Sequence, residues 1–164
     1  MTTLLTGTEK QIALGSKVRA RFVQAHPELE PFVRSLTSAA DWIEAMDRPQ
    51  KMAAIAIRSM LDEGNETAVI DAVMAHVRSL CAESAARQLE VGKPRVLPRP
   101  LGLTSATVRY LCDNNYKLER AVWSILGARR EEFFTKLEAP INGLEFSQEL
   151  RDEAHARFDK HLQP

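Results

Sequence analysis

"ETAVIDAVMAHVRSLCAESAARQLE", residues 66 to 90, is the stretch that decides the fold. In it Val69, Ile70, Val73, Met74, Val77, Leu80, Cys81 and Leu89 recur at intervals of three and four, the spacing that lines apolar side chains along an α-helix. The pattern predicts one long central helix from about Glu66 to Glu90, ending at Gly92, against which the rest of the chain packs.

On both sides of this stretch, caps and breakers divide the chain into further helices. Toward the C-terminus, "GKPRVLPRPLG" (residues 92–102) holds three prolines and three basic residues, so regular secondary structure is not expected there. A proline-rich basic connection at about 91–103 then divides a single helical domain, 1–164, into two lobes. Beyond it Thr104 is expected to cap a helix reaching about Cys112. "DNNY" (113–116) reads as a turn, a further helix carries Leu118, Val122, Trp123, Ile125 and Leu126, and Ser147 caps a last one bearing Leu150, Ala154, Phe158 and Leu162. Toward the N-terminus, Thr6 with Glu9 has the capping-box spacing for a helix from about Gly7 to Ala25. Pro27 and Pro31 break the chain into a short piece carrying Phe32, Val33 and Leu36. Ser38 with Asp41 caps a helix bearing Trp42, Ile43 and Met46. Pro49 suits the first turn of a third helix, which buries Met52, Ile55 and Leu61 and ends at Gly64. The expected fold is all-α, a compact bundle of about six to eight short helices.

Length and composition remove several classes. A chain of 164 residues buries enough surface to fold without staples. Its two cysteines, Cys81 and Cys112, have neither disulfide-framework nor zinc spacing and read as small core residues. No basic flank precedes an apolar run at the N-terminus, and no stretch approaches the roughly 18 apolar residues of a membrane helix, so a cytoplasmic protein with no membrane partner is expected.

Catalytic signatures are also missing. The histidines at 26, 76, 155 and 161 are scattered without metal-ligand spacing, the seven glycines do not cluster as a phosphate cradle, and no serine sits in a nucleophile elbow. The carboxylate pairs Asp62-Glu63, Glu131-Glu132 and Asp152-Glu153 are adjacent on helices, where side chains diverge by about 100°. The expectation is a non-enzyme with no metal, no cofactor and no evident small-molecule substrate. His76 is the exception to check, because it rides on the central apolar helix.

Charge is informative by segment. The chain is neutral overall, yet residues 1–35 sum to +2, 36–75 to −4, 76–130 to +6 and 131–164 to −4. A neutral protein can therefore present a basic middle, unless acidic helices pack beside it and cancel it. On the first helix, Lys10, Lys17 and Arg21 fall within about 20° of one line roughly 16 Å long. Lys93, Arg95 and Arg99 lie in the connection, and Arg109, Lys117, Arg120, Arg129 and Arg130 follow on later helices. These eleven cations are the candidate nucleic-acid-binding residues, since regularly placed cations match backbone phosphates; an ordinary solvated face gives the same pattern. Tyr110, Tyr116 and Trp123 are interleaved with them and could stack on unpaired bases, although two of the three are expected in the core. The segment "TSATVRYLCDNNYKLERAVWSIL" (104–126) has two helices and a turn, but no register satisfies a helix-turn-helix reader.

"TGTEKQIALGSKVR" (6–19) resembles an N-terminal motif of small bacterial and phage proteins that reads T-G-S-E-K-Q-I-x-W-A-x-x-I-R. Thr6, Gly7, Glu9, Lys10, Gln11, Ile12 and Arg19 match; Leu14, Gly15 and Val18 replace the motif's tryptophan, alanine and isoleucine. "DWIEAMDR" (41–48) is loosely similar to a later W-I-D-x-R element of those proteins. The resemblance covers the first 50 residues and implies a mobile-element or defence context. Two function classes follow as expectations. One is a nucleic-acid-contacting accessory protein, similar in character to the small subunits of CRISPR-type ribonucleoproteins. The other is a phage-type inhibitor resembling anti-CRISPR proteins, which acts by binding a protein partner.

Overall fold

A computed structural model describes residues 3–163. Among them are nine α-helices and one 3-10 turn, in the order α1 (Glu9–Ala25), the 3-10 turn (Pro27–Leu29), α2 (Glu30–Val33), α3 (Ala39–Glu44), α4 (Gln50–Asp62), α5 (Glu66–Glu90), α6 (Pro100–Leu111), α7 (Tyr116–Ala128), α8 (Arg130–Leu137) and α9 (Gln148–His161). Among the described residues the only β pairing is two isolated bridges, so the all-α bundle is observed. None of the described helices is long and apolar enough to cross a membrane.

The periodic stretch forms α5 over its full predicted span, started by the Asn65 side chain accepting from the Ala68 amide. Its Val69, Ile70, Val73, Val77 and Cys81 are buried, while Leu89, near its end, is exposed. α5 meets α4 and the 3-10 turn as well as α6, α7 and α8. The segments on either side of the connection therefore share one buried cluster, running from Leu5 to Phe158. Within that cluster, Phe158 of α9 stacks on Phe133 of α8 (5.0 Å, 22°) and packs edge-on to Phe134.

Local chemistry explains most boundaries. Ser38, Asn115 and Ser147 each accept a backbone amide three residues on, as N-caps do. The first helix is capped by Thr8, with Gln11 closing the reciprocal box, rather than by Thr6 with Glu9. Thr6 is occupied elsewhere: its amide donates to Thr37 and its carbonyl accepts from Ala39, which ties the N-terminal segment to the start of α3. Gly15 makes the α1–α3 crossing close, since a Cβ there would lie 3.1 Å from the Cα and carbonyl oxygen of Ala39. Arg19, matched in the resemblance motif, is buried and donates to the carbonyls of Thr3 (2.8 Å) and Arg34 (3.2 Å), a structural use.

The connection is shorter than expected, because α6 begins at Pro100. A proline at the first helical position has the required φ and lacks an amide that would go unpaired there. Thr104 therefore lies inside α6, buried, its hydroxyl donating to the Pro100 carbonyl, and is not a cap. Leu97 pins the connection to the core. α8 is a separate helix that the sequence punctuation does not mark; Arg129, with no glycine or proline beside it, is the break.

Candidate functional site

The eleven candidate cations separate into two groups. Lys10, Lys17 and Arg21 are all exposed on the unbroken α1, whose buried face (Gly15, Val18, Arg19, Phe22) lies about 130° around the helix. The single acid of α1, Glu9, falls off that stripe, and no ion pair involves the three cations among the described residues. Lys93 and Arg95 are exposed on the connection, and Arg109, Lys117 and Arg120 on α6 and α7, likewise without an acidic partner among the described residues. The other three are engaged. Arg99 contacts Glu153 at 3.5 Å. Arg129 pairs with Glu132. Arg130 holds Asp159 (3.1 Å), contacts His155 and lies over the Phe134 ring, fastening α8 to α9. Arg78, counted in the basic middle, is also internal: it donates to the Ala139 and Pro140 carbonyls.

Of the interleaved aromatics, Trp123 is buried and Tyr110 is half-buried, whereas Tyr116 is 72% exposed. Tyr116, Arg120 and Trp123 line an open groove of about 680 Å³ between α7 and the end of α9, with Glu119, Ser124 and His161. The indole N–H of Trp123 has no acceptor among the described residues. A smaller apolar cleft of about 160 Å³ lies between α1 and the α3–α4 segment, lined by Phe22, Trp42, Met46 and Met52, with Arg21 and His26 also contributing.

Behind that cleft the fold assembles a cluster that sequence spacing conceals. His26 follows α1, Glu28 sits in the 3-10 turn, and His76 comes from the middle of α5. His76 Nδ1 lies 2.7 Å and His26 Nδ1 3.6 Å from the Glu28 carboxylate, and Tyr110 Oη lies 2.9 Å from His26 Nε2. The Tyr110 ring stacks on His76 (5.3 Å, 17°). Burial, partly offset by the Glu28 carboxylate, holds His26 below the ordinary histidine pKa, and burial with the Glu28 charge raises Tyr110. Two of the four histidines scattered in sequence are thus neighbours, and one ligand atom from each of His26, Glu28 and His76 lies within 4.8 Å of the others, which revises the absence of a metal-ligand set read from spacing. The carboxylate–histidine pair Glu28–His76 is set back from the cleft, which only His26 of the three lines.

The two cysteines are buried and free, their thiols pushed up to about 11 at Cys81 and about 12 at Cys112, chiefly by burial.

No protein-family model matches the chain, and no curated protein or solved structure is detectably similar to it.

Proposed function

We propose that the chain is a non-enzymatic helical accessory protein that holds the sugar–phosphate backbone of nucleic acid. The observation that supports this reading is the partition of its cations. Eight of the eleven candidates (Lys10, Lys17, Arg21, Lys93, Arg95, Arg109, Lys117 and Arg120) are exposed with no acidic partner among the described residues, although the chain as a whole is neutral. Free exposed cations neutralise phosphates and release condensed counterions, whereas cations already paired gain little. Tyr116 beside Lys117 and Arg120 adds one exposed ring on which an unpaired base can stack, which favours a single-stranded or partly unpaired ligand.

A second reading rests on a different surface. Asp62, Glu63 and Glu66, at the turn between α4 and α5, are exposed and free of ion pairs among the described residues. Such a corner can mimic phosphate toward a nucleic-acid-binding protein, as an inhibitor does. Fluorescence anisotropy with labelled single strands and duplexes of unrelated sequence, at low salt, separates the two. The proposed function predicts binding with little sequence preference and tighter binding to single strands. Absence of binding at low salt removes it and leaves the inhibitor reading.

A further inference from the structure

We propose that His26, Glu28 and His76 form a binding site for one late first-row divalent transition-metal ion, zinc being the physiological choice, and that the ion staples α1 and the 3-10 turn to α5. The donor set selects this chemistry. Two neutral imidazoles and one carboxylate suit zinc and its neighbours, whereas calcium and magnesium take oxygen donors. The spacing is close to that required. With metal–donor distances of about 2.0–2.2 Å, tetrahedral ligands stand about 3.4 Å apart. His26 Nδ1 and the Glu28 carboxylate are already at 3.6 Å, and the 2.7 Å separation of His76 Nδ1 from the same carboxylate has to open by roughly 0.7 Å.

The surroundings support the same assignment. Tyr110 at 2.9 Å from His26 Nε2 orients that ring with Nδ1 toward Glu28, which is what an outer-shell oxygen does for a metal-bound histidine. His76, only 6% exposed, is held between the Tyr110 face and the edge of His26, so its ring is positioned before any ligand arrives. Three protein donors leave the fourth position to water. Without an ion, Glu28 accepts a hydrogen bond from His76 Nδ1, and His26 Nδ1 stands 3.6 Å from the same carboxylate; the experiment decides between these two states of the cluster. The site stands on different residues from the proposed nucleic-acid contacts, so either idea can fail without the other.

The test uses the full chain freed of metal by chelator dialysis. Titration with zinc at neutral pH is expected to show one ion per chain and to raise Tm by about 5–10 °C at free zinc near a hundredfold above Kd. Cobalt(II) in place of zinc is expected to give the visible absorption of a four-coordinate site. Glu28→Gln, which keeps the size and one acceptor oxygen for His76, is expected to weaken zinc binding at least tenfold and abolish the cobalt bands, as is His76→Gln. His155→Gln, at the other histidine–carboxylate contact with Glu138 (2.5 Å), leaves them unchanged. Should His76→Gln fail to fold, the wild-type cobalt spectrum and Glu28→Gln decide alone. The proposal is overturned if zinc does not bind one-to-one, if Glu28→Gln binds as wild type does, or if His155→Gln removes the signal.

Discussion

Arg78 makes a sharp test of how this bundle is fastened. It projects from α5 with Nη2 2.8 Å from the Pro140 carbonyl and Nη1 3.0 Å from that of Ala139, and a longer 3.4 Å approach to the Lys136 carbonyl. α8 ends at Leu137, so these carbonyls belong to its last turn and the loop that follows, where backbone acceptors lack partners in the helix. A cation here also faces the negative end of the α8 dipole. A hydrogen bond from a charged donor contributes about 1.5–3 kcal/mol, and the half-buried position calls for the low end of that range for each of the two good bonds. Arg78→Met keeps the aliphatic stem and loses both, which predicts a loss of about 2–3 kcal/mol and a Tm lower by roughly 5–10 °C. Arg78→Lys keeps the charge but has no planar fork to reach two carbonyls, so about half of that loss is expected. Urea unfolding followed by circular dichroism reads both variants, with the midpoint shifting and the slope unchanged. A midpoint for Arg78→Met within about 0.5 kcal/mol of wild type, or an Arg78→Lys variant as stable as wild type, would refute the clamp.

Three other outcomes are expected. Gly15→Ala gains about 1 kcal/mol of helix propensity but brings a Cβ to 3.1 Å from the Ala39 backbone, and crowding costs about 1–3 kcal/mol, so the variant melts lower than wild type; a higher Tm contradicts the close α1–α3 crossing. Phe158→Ala removes the ring that stacks on Phe133 and is expected to cost about 3–5 kcal/mol in urea, and a cost under 1 kcal/mol contradicts the α8–α9 packing. With their thiols held near 11 and 12, Cys81 and Cys112 are expected to resist alkylation in the folded protein at pH 8 and to react at once in denaturant; rapid labelling of the native chain contradicts their burial.

What the sequence made legible is local. α5 follows from an apolar period sustained over 25 residues, and Ser38 and Ser147 cap helices because a hydroxyl three residues from a free amide needs nothing further away. Thr6 and Thr8 show where that logic stops. Both stand three residues ahead of a Glu or Gln, and the choice of Thr8 follows from the pairing of Thr6 with Thr37 and Ala39, a contact across more than 30 residues. The same limit applies to charge. Summing residues 76–130 places Arg78, Arg129 and Arg130 in a basic middle, while the fold turns Arg78 to carbonyls and the other two to Glu132 and Asp159. Only the Arg129–Glu132 pairing, three apart on one chain segment, was available to sequence spacing. The His26–Glu28–His76 cluster lay beyond it as well, because His76 reaches Glu28 across 48 residues. Its one local sign was a histidine on the apolar stripe of α5.

The proposal that cations left unpaired by the fold hold phosphate is tested by the salt dependence of binding. Each neutralised phosphate contributes a log–log slope of about −0.7 on single strands and −0.9 on duplex. Replacing Lys10, Lys17 and Arg21 together by alanine removes three exposed side chains from one line of α1 without touching its buried face, so the fold is expected to survive. The expected result is measurable binding by the wild type at low salt, affinity falling steeply as salt rises, and a slope flatter by roughly two to three units in the triple variant. A wild type that does not bind, or a triple variant with the wild-type slope, contradicts it.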